Sequence, residues 1–337
     1  MVLNKKDAEL VVLGDGGWGT TIAIHMAKLG HPVCVWGAFS DHLAELTHTR
    51  ENRKFLPGFH IPESIRFEPD LNAALANAAL VMVAVPSRFF RSVLRRVKRP
   101  KNRRMALAIL TKGFEPKSDR LMTDVVAEEL GRIPVGVVSG PCISREVAQG
   151  EPASMVAASA RAEVRRGIRR SLDNHTLTIL ESTDVVGVQV GAAIKNVIAI
   201  AAGVVDGLGF GTNTKSILVA RGIAEMARLG EKMGARRRTF MGLSGLGDLV
   251  TTSFSIHSRN HGCGFEIARG ASLTDVRRKT EMVIEGAETA RSALRMARRH
   301  RIRMPIVEAV NQILYGGRDP RRVIDALLSK SIRNEHE

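Results

Sequence analysis

Leu10-Val11-Val12-Leu13-Gly14-Asp15-Gly16-Gly17-Trp18-Gly19-Thr20 is the stretch that decides the fold. Four apolar residues run straight into a glycine, the pattern of a buried parallel strand ending in a turn. Gly14, Gly16 and Gly19 then fit G-x-G-x-x-G. In such a turn the first glycine makes the tight bend, the second lets the backbone approach a pyrophosphate, and the third lets the helix pack close on the strand. Residues 20–29 follow with helical spacing until Gly30 stops them, and residues 33–36 form a second apolar strand. A glycine motif between a strand and a helix, leading into another strand, has the context of a dinucleotide phosphate site. The helix N-terminus adds free N–H groups for the phosphates.

Outward from this unit the same pattern repeats. Apolar runs at 80–85, 105–110 and 135–139 read as strands, with 155–158 and 177–180 as further ones. Helical stretches lie between several of them, which predicts an α/β, Rossmann-type, mostly parallel sheet with helices on both faces. From about Asp184 the strands stop, and helical stretches dominate at 185–205, 216–229, 288–299 and 305–314. The expected organisation is a dinucleotide-binding domain over 1–183 and an all-helical substrate domain over 184–337. Residues 185–205 are apolar and long enough to span a bilayer. Gln189, Lys195 and Asn196 sit in that run, and a lysine near a bilayer centre costs about 2.5–3.5 kcal/mol. A buried helix is the better reading, so no integral membrane segment is expected. Residues 1–9 read as a short polar leader, not a signal peptide, and 329–337 as a polar tail that frays.

Composition narrows the partners. Fifty Lys and Arg against thirty-four Asp and Glu leave +16, which favours polyanions, phosphorylated small molecules or acidic surfaces. The excess gathers at Arg95, Arg96, Lys98, Arg99, Lys101, Arg103 and Arg104, at Arg165, Arg166, Arg169 and Arg170, at Arg236 to Arg238, and at Arg298, Arg299, Arg301 and Arg303. No recognised nucleic-acid-binding motif accompanies it, and aromatics at 4% are too few for base-stacking platforms. These clusters read as solvated helix surface, with no nucleic-acid partner. Cys34, Cys142 and Cys263 lie far apart without C-x-x-C spacing, against a disulfide framework or zinc site and in keeping with a reducing compartment. The ten histidines form no H-E-x-x-H array, so no metal is expected; His257 and His261 read as loop residues. There is no G-x-S-x-G elbow to support hydrolase chemistry.

Three places carry candidate chemistry. Lys112, in Thr111-Lys112-Gly113, follows the strand 105–110 at its carboxyl end, where open α/β sheets bind ligands. Lys195 lies inside an apolar helix, with Gly191 one turn before it and Ala199 one turn after. Small neighbours would leave room for a ligand at the ammonium. Burial makes a lysine expensive unless paired and lowers its pKa, which suits a general acid–base group near neutral pH. Gly245-Leu246-Gly247-Asp248 and Ser258-Arg259-Asn260 look like an anion site: Arg offers a forked donor set, Ser and Asn add neutral donors, and Asp248 could orient a catalytic lysine. The second strand ends Val35-Trp36-Gly37-Ala38. A strict NAD site would place Asp or Glu there, about 20 residues on, for the ribose 2′-hydroxyl. Asp41 comes later, and Arg50 and Arg53 lie downstream. The choice between NAD and NADP is therefore open, leaning away from strict NAD.

Taken in order, these motifs resemble the soluble bacterial NAD(P)-dependent glycerol-3-phosphate dehydrogenases, from about residue 11 to about 328. The resemblance rests on the glycine turn, Val85-Pro86-Ser87, Thr111-Lys112-Gly113, Ser139-Gly140-Pro141, Ile194-Lys195-Asn196-Val197-Ile198-Ala199-Ile200, Asp206-Gly207-Leu208-Gly209, Gly245-Leu246-Gly247-Asp248-Leu249, Ser258-Arg259-Asn260 and Val283-Ile284-Glu285-Gly286. It implies reversible hydride transfer between dihydroxyacetone phosphate and sn-glycerol 3-phosphate with NADH or NADPH, in the cytoplasm, for glycerophospholipid synthesis. A homodimer is left open. Lys195 matches the family's catalytic lysine, the proton acceptor in alcohol oxidation. Lys112 matches a residue shared by substrate and cofactor, and two ammonium groups facing one carbonyl would polarise it. Asp248 matches a substrate-site residue counted with the catalytic set. Ser258, Arg259 and Asn260 match the phosphate loop, with Arg259 also near cofactor. Gly140 and Cys142 fall where the family binds substrate. Gly14, Gly16, Gly17, Trp18, Gly19, Ala38, Ser144, Val283 and Glu285 fall at cofactor positions.

The chain departs from the family pattern at four places. Gly17 replaces the usual Ser and so lacks a hydroxyl near the pyrophosphate. Ala38 stands where relatives carry a polar or basic residue. Cys142 replaces Ser or Thr, a weaker donor. His261-Gly262-Cys263 replaces a more basic, aromatic run. Two alternatives stay beside the main reading: a related two-domain hydroxy-acid reductase, and a dinucleotide sensor without turnover.

Overall fold

A computed structural model describes residues 9–98, 105–280 and 282–329. Arg99, Lys101, Arg103 and Arg104 lie outside the described residues, as do the expected leader up to residue 8 and the tail from 330. The chain divides into two compact units, Met1–Gln189 and Val190–Glu337.

Among the described residues the first unit is built on ten strands: β1 (Glu9–Leu13), β2 (Val33–Trp36), β3 (Glu51–Asn52), β4 (Leu56–His60), β5 (Ile65–Glu68), β6 (Ala78–Val83), β7 (Ala106–Ile109), β8 (Val135–Ser139), β9 (Ala153–Ala158) and β10 (Leu177–Ser182). Eight of them form one sheet in the order β10-β9-β8-β7-β6-β1-β2-β5, while β3 and β4 pair as a separate antiparallel ribbon. From β5 through β8 every pairing is parallel; β9 runs antiparallel to β8, and β10 parallel to β9. The six strands β8-β7-β6-β1-β2-β5 thus have the order of a doubly wound dinucleotide fold. Leu10, Val12, Val33, Val35, Leu80, Met82, Ala106 and Ala108 belong to one buried cluster. Their neighbours Val11, Leu13, Val81, Val83, Leu107 and Ile109, on the opposite face, are buried as well. Burial of both faces explains the continuous apolar runs in the sequence. Glu9, read as leader, already belongs to β1. The sequence reading missed β5, whose residues Arg66-Phe67-Glu68 are only half-buried or exposed at this sheet edge.

Among the described residues no strand follows β10. The helix Val185–Gly207 is long and apolar enough to cross a membrane, but 89% of its most apolar window is buried by the chain itself. Its first turn belongs to the first unit, where Gln189 exchanges hydrogen bonds with Thr123: its Nε2 donates to Oγ1 at 3.0 Å and the Thr123 N–H donates to its Oε1 at 3.1 Å.

In the second unit the rest of this helix meets the helix Arg259–Ala268 at glycines. A Cβ on Gly203 would lie 1.9 Å from the His261 carbonyl oxygen, and one on Gly264 would lie 1.9 Å from that of Ile200. The two backbones therefore touch, bringing Asn260 to Asn196. The residues of the expected anion site open helices here: Asp248–Phe254 and Arg259–Ala268. His261 accordingly sits in the first turn of a helix, not in a loop, whereas His257 is exposed before it.

Candidate functional site

In the first unit the sequence-predicted residues gather at the carboxyl edge of the parallel strands, the general location of ligand sites in such sheets. Gly14 follows β1, Ala38 follows β2, Lys112 follows β7 and Gly140 follows β8. Gly14 has φ +119°, a conformation that excludes an ordinary side chain there, and Gly19 packs so close that a Cβ would lie 1.9 Å from the Gly14 carbonyl oxygen. Gly16 ends the turn as the cap of the helix Gly17–Lys28, and nothing lies within 4 Å of where its Cβ would be. That open space above a helix N-terminus is a cradle for a phosphate. Two buried polar atoms of the turn itself, Asp15 Oδ2 and Trp18 Nε1, lack a hydrogen-bond partner, as does His42 Nε2. Buried polar groups left without partners are costly, so the turn has unmet capacity that a polar ligand would satisfy. Burial holds the Asp15 carboxyl above the usual carboxylate range, opposed by its own backbone N–H and by His42 and Lys54. These features fit a dinucleotide.

Gly17 is the first helical residue, and a Cβ there would lie 2.6 Å from the Phe55 carbonyl oxygen. Its lack of a side chain answers the close approach of the β3–β4 ribbon. Lys112 is half-buried and its Nζ donates to the Gly140 carbonyl at 3.3 Å, joining the ends of β7 and β8. The Cys142 thiol lies 3.8 Å from the Ser154 carbonyl. Ser144 begins the short helix Ser144–Gln149, and its carbonyl accepts a hydrogen bond from Thr21 Oγ1 at 3.2 Å. Ala38 is exposed.

In the second unit Lys195 is 5% exposed, and its Nζ donates to Asp248 Oδ1 at 2.6 Å and to Thr252 Oγ1 at 2.6 Å. Asp248 is buried too, and the Thr252 hydroxyl bonds back to its carbonyl at 2.6 Å. The pairing keeps a cation tolerable in an apolar helix. Gly191 does not leave ligand space: a Cβ there would lie 2.5 Å from the Ser244 carbonyl oxygen. Its smallness lets the turn Leu243–Gly247 pack against the helix and deliver Asp248. Thr252 was not foreseen; its signal is the spacing of four from Asp248, which puts both on one helix face.

The anion residues divide by role. Ser258 caps the helix Arg259–Ala268, accepting from the His261 N–H at 3.2 Å. Arg259 keeps solvent contact and its Nη1 donates to the Val283 carbonyl at 3.3 Å; the protein packed around it pulls the guanidinium below its ordinary value, opposed by the Glu285 carboxylate. Asn260 points inward. Its Nδ2 donates to Asn196 Oδ1 at 2.9 Å and its Oδ1 accepts from the Gly286 N–H at 2.9 Å. It therefore ties three helices together. Asp206, quoted from the sequence only within a motif and given no role, meets Lys215 Nζ at 2.6 Å and His261 Nε2 at 2.7 Å through its Oδ2.

The chain is similar to known proteins over nearly its whole length. Family models described as the N-terminus and C-terminus of NAD-dependent glycerol-3-phosphate dehydrogenase match residues 9–165 and 184–325. The glycerol-3-phosphate dehydrogenase [NAD(P)+] of Pectobacterium carotovorum is 40% identical over 335 residues, covering 99% of each chain. That of Geobacillus kaustophilus is 39% identical over 329 residues, covering 97% of this chain and 96% of its own. The solved glycerol-3-phosphate dehydrogenase of Coxiella burnetii superimposes with a TM-score of 0.94 at 33% identity, over 97% of this chain and 100% of that one.

Proposed function

The chain belongs to the NAD(P)-dependent glycerol-3-phosphate dehydrogenases, and from that membership we propose how its own residues interconvert dihydroxyacetone phosphate and sn-glycerol 3-phosphate. The bound nicotinamide dinucleotide supplies the hydride for ketone reduction and takes it up in alcohol oxidation. The glycine turn would hold its pyrophosphate, with Gly14, Gly16, Gly17 and Gly19 giving close backbone approach and Trp18, Lys112, Ser144, Val283 and Glu285 further contacts.

Lys195 is the proton donor to the ketone oxygen during reduction and the acceptor from the alcohol during oxidation. Asp248 and Thr252 hold its Nζ in one position, and the carboxylate favours the ammonium that must be present before reduction. Arg259 and the N-terminus of its helix receive the substrate phosphate, since a guanidinium and free N–H groups both suit a dianion. Ser258 and Asn260 support that helix end, as cap and as tether. Lys112, Gly140 and Cys142 contribute to the substrate contacts. The same reading assigns the product to glycerophospholipid synthesis in the cytoplasm, with a homodimer as the assembly to test by light scattering.

The observation that carries this reading is the buried Lys195 ammonium 2.6 Å from both Asp248 and Thr252. The folded protein should oxidise NADH or NADPH when given dihydroxyacetone phosphate, followed by loss of absorbance. Lys195→Ala should lower kcat by about 10²- to 10⁴-fold. Oxidation of neither cofactor, or full turnover by Lys195→Ala, defeats the proposal.

A further inference from the structure

β2 ends without an acid, yet a carboxylate stands at its end. A Cβ on Gly37, the residue after β2, would lie 2.2 Å from Asp15 Oδ2 and 2.6 Å from its Cγ. The Asp15 carboxyl thus fills the volume in which a side chain at position 37 would begin. In dinucleotide folds generally this strand end is where an Asp or Glu takes the adenosine ribose 2′-hydroxyl. Here Gly37 vacates the place and the glycine turn supplies the carboxylate.

The Asp15 backbone is fixed for that task. Its carbonyl accepts from Asn52 Nδ2 at 2.8 Å and from Thr20 Oγ1 at 3.3 Å, and Asn52 itself is fully buried. One carboxylate oxygen, Oδ2, is buried with no hydrogen-bond partner. A ribose 2′-hydroxyl can donate to such an oxygen. A 2′-phosphate brings mainly acceptors and further negative charge, and would leave the oxygen unpaired beside a like charge. The basic side chains that face the carboxyl are His42 and Lys54. His42 is shared with Glu45, 3.7 Å from its Nδ1, and the Lys54 ammonium sits 5.3 Å from the centre of the Phe55 ring. Neither forms the guanidinium fork that suits a 2′-phosphate.

We propose that Asp15 is the specificity-determining residue of the cofactor site, accepting a hydrogen bond from the adenosine 2′-hydroxyl and so selecting NADH over NADPH. This rests on the reading of the glycine turn as a dinucleotide site. It reverses the leaning drawn from the missing acid at the end of β2, because the selecting acid lies in the glycine turn, 23 residues before Ala38.

Calorimetric titration of the full chain with NADH, with NADPH and with NADH lacking the adenosine 2′-hydroxyl tests it without turnover. NADH should bind roughly 10- to 100-fold more tightly than either of the others, the range for a hydrogen bond to a charged group. Asp15→Asn and Asp15→Ala should narrow the NADH-to-NADPH ratio to within a few-fold, and kcat/KM with dihydroxyacetone phosphate should shift in parallel. Equal or tighter binding of NADPH by the wild type overturns the proposal. So does equal binding of the 2′-deoxy cofactor, a readout that needs no variant to fold. Tight binding of both natural cofactors at a ratio near one overturns this inference alone. Binding of neither overturns the dinucleotide reading and this inference with it.

Discussion

A Cβ on Gly17 would lie 2.6 Å from a backbone oxygen, that of Phe55, which cannot rotate away as a side-chain tip could. The family resemblance makes Ser the usual residue at this position and treats Gly17 as a lost hydroxyl. In this chain the ribbon β3–β4 has come close enough to take the space instead. Gly17→Ser should therefore lower stability by about 1–3 kcal/mol, the ordinary cost of overpacking, and should weaken NADH binding by displacing the turn. Thermal denaturation with a parallel NADH titration checks this; unchanged stability with tighter binding would show that the ribbon yields. Lys195 carries a similar lesson about single residues. One cation in an apolar helix was legible as a site, because an unpaired one would be too costly. Its partners were only half legible. Asp248 stood out beside its glycines, while Thr252 reaches Nζ across 57 residues of sequence and carries no local signal beyond its spacing from Asp248.

Elements show where legibility ends and why. The strands β1, β2, β6, β7 and β8 announce themselves because burial on both faces demands unbroken apolar runs. The edge strand β5 buries Ile65 and leaves its other three residues exposed or half-buried, and does not. Arg259–Ala268 contains Asn, His and two glycines, a composition that reads as a loop. It is helical because Gly264 lets it lie against Ile200 and because Ser258 caps it. Another helix start is held by a distant acid: the N–H groups of Ile306 and Val307 donate to Glu225 at 2.6 and 3.3 Å, at the head of the helix Pro305–Tyr315. Burial pushes the Glu225 carboxyl up to about 8, although those N–H groups pull it down. Between the ordinary glutamate value of 4.5 and about 8 the unfolded chain has released this proton while the folded chain keeps it. Stability contributed at this site therefore falls as pH rises through that window, by at most about 1.4 kcal/mol per pH unit, and levels off above it. Glu225→Gln removes the titration. Urea melts should show the variant gaining on the wild type from pH 5 to pH 8 and no further gain at pH 9; a difference independent of pH would contradict the assignment.

Across the whole molecule the charge balance is set against the ligands it must attract. Several members of the basic clusters are paired: Arg95 with Glu129, Arg165 with Glu181, Arg169 with Asp173 and Arg237 with Glu231. An excess of sixteen positive charges remains over the chain. Substrate phosphate and dinucleotide are both anionic, so that field raises their rate of encounter. The groups proposed for chemistry respond differently from the field that gathers substrate. Lys195 and Asp248 are buried and paired, so dissolved ions reach them weakly, whereas Arg259 is exposed. Screening acts over about 10 Å at 0.1 M salt and strikes the exposed charges first. With NADH saturating, raising sodium chloride from about 20 mM to about 300 mM should lower kcat/KM for dihydroxyacetone phosphate several-fold and leave kcat within about twofold. Initial rates across the salt series, with potassium acetate as a second salt, separate screening from specific anion competition. A flat kcat/KM would mean that the net charge plays no part in capture. A collapse of kcat alone would mean that salt reaches the Lys195–Asp248 pair, which its burial argues against.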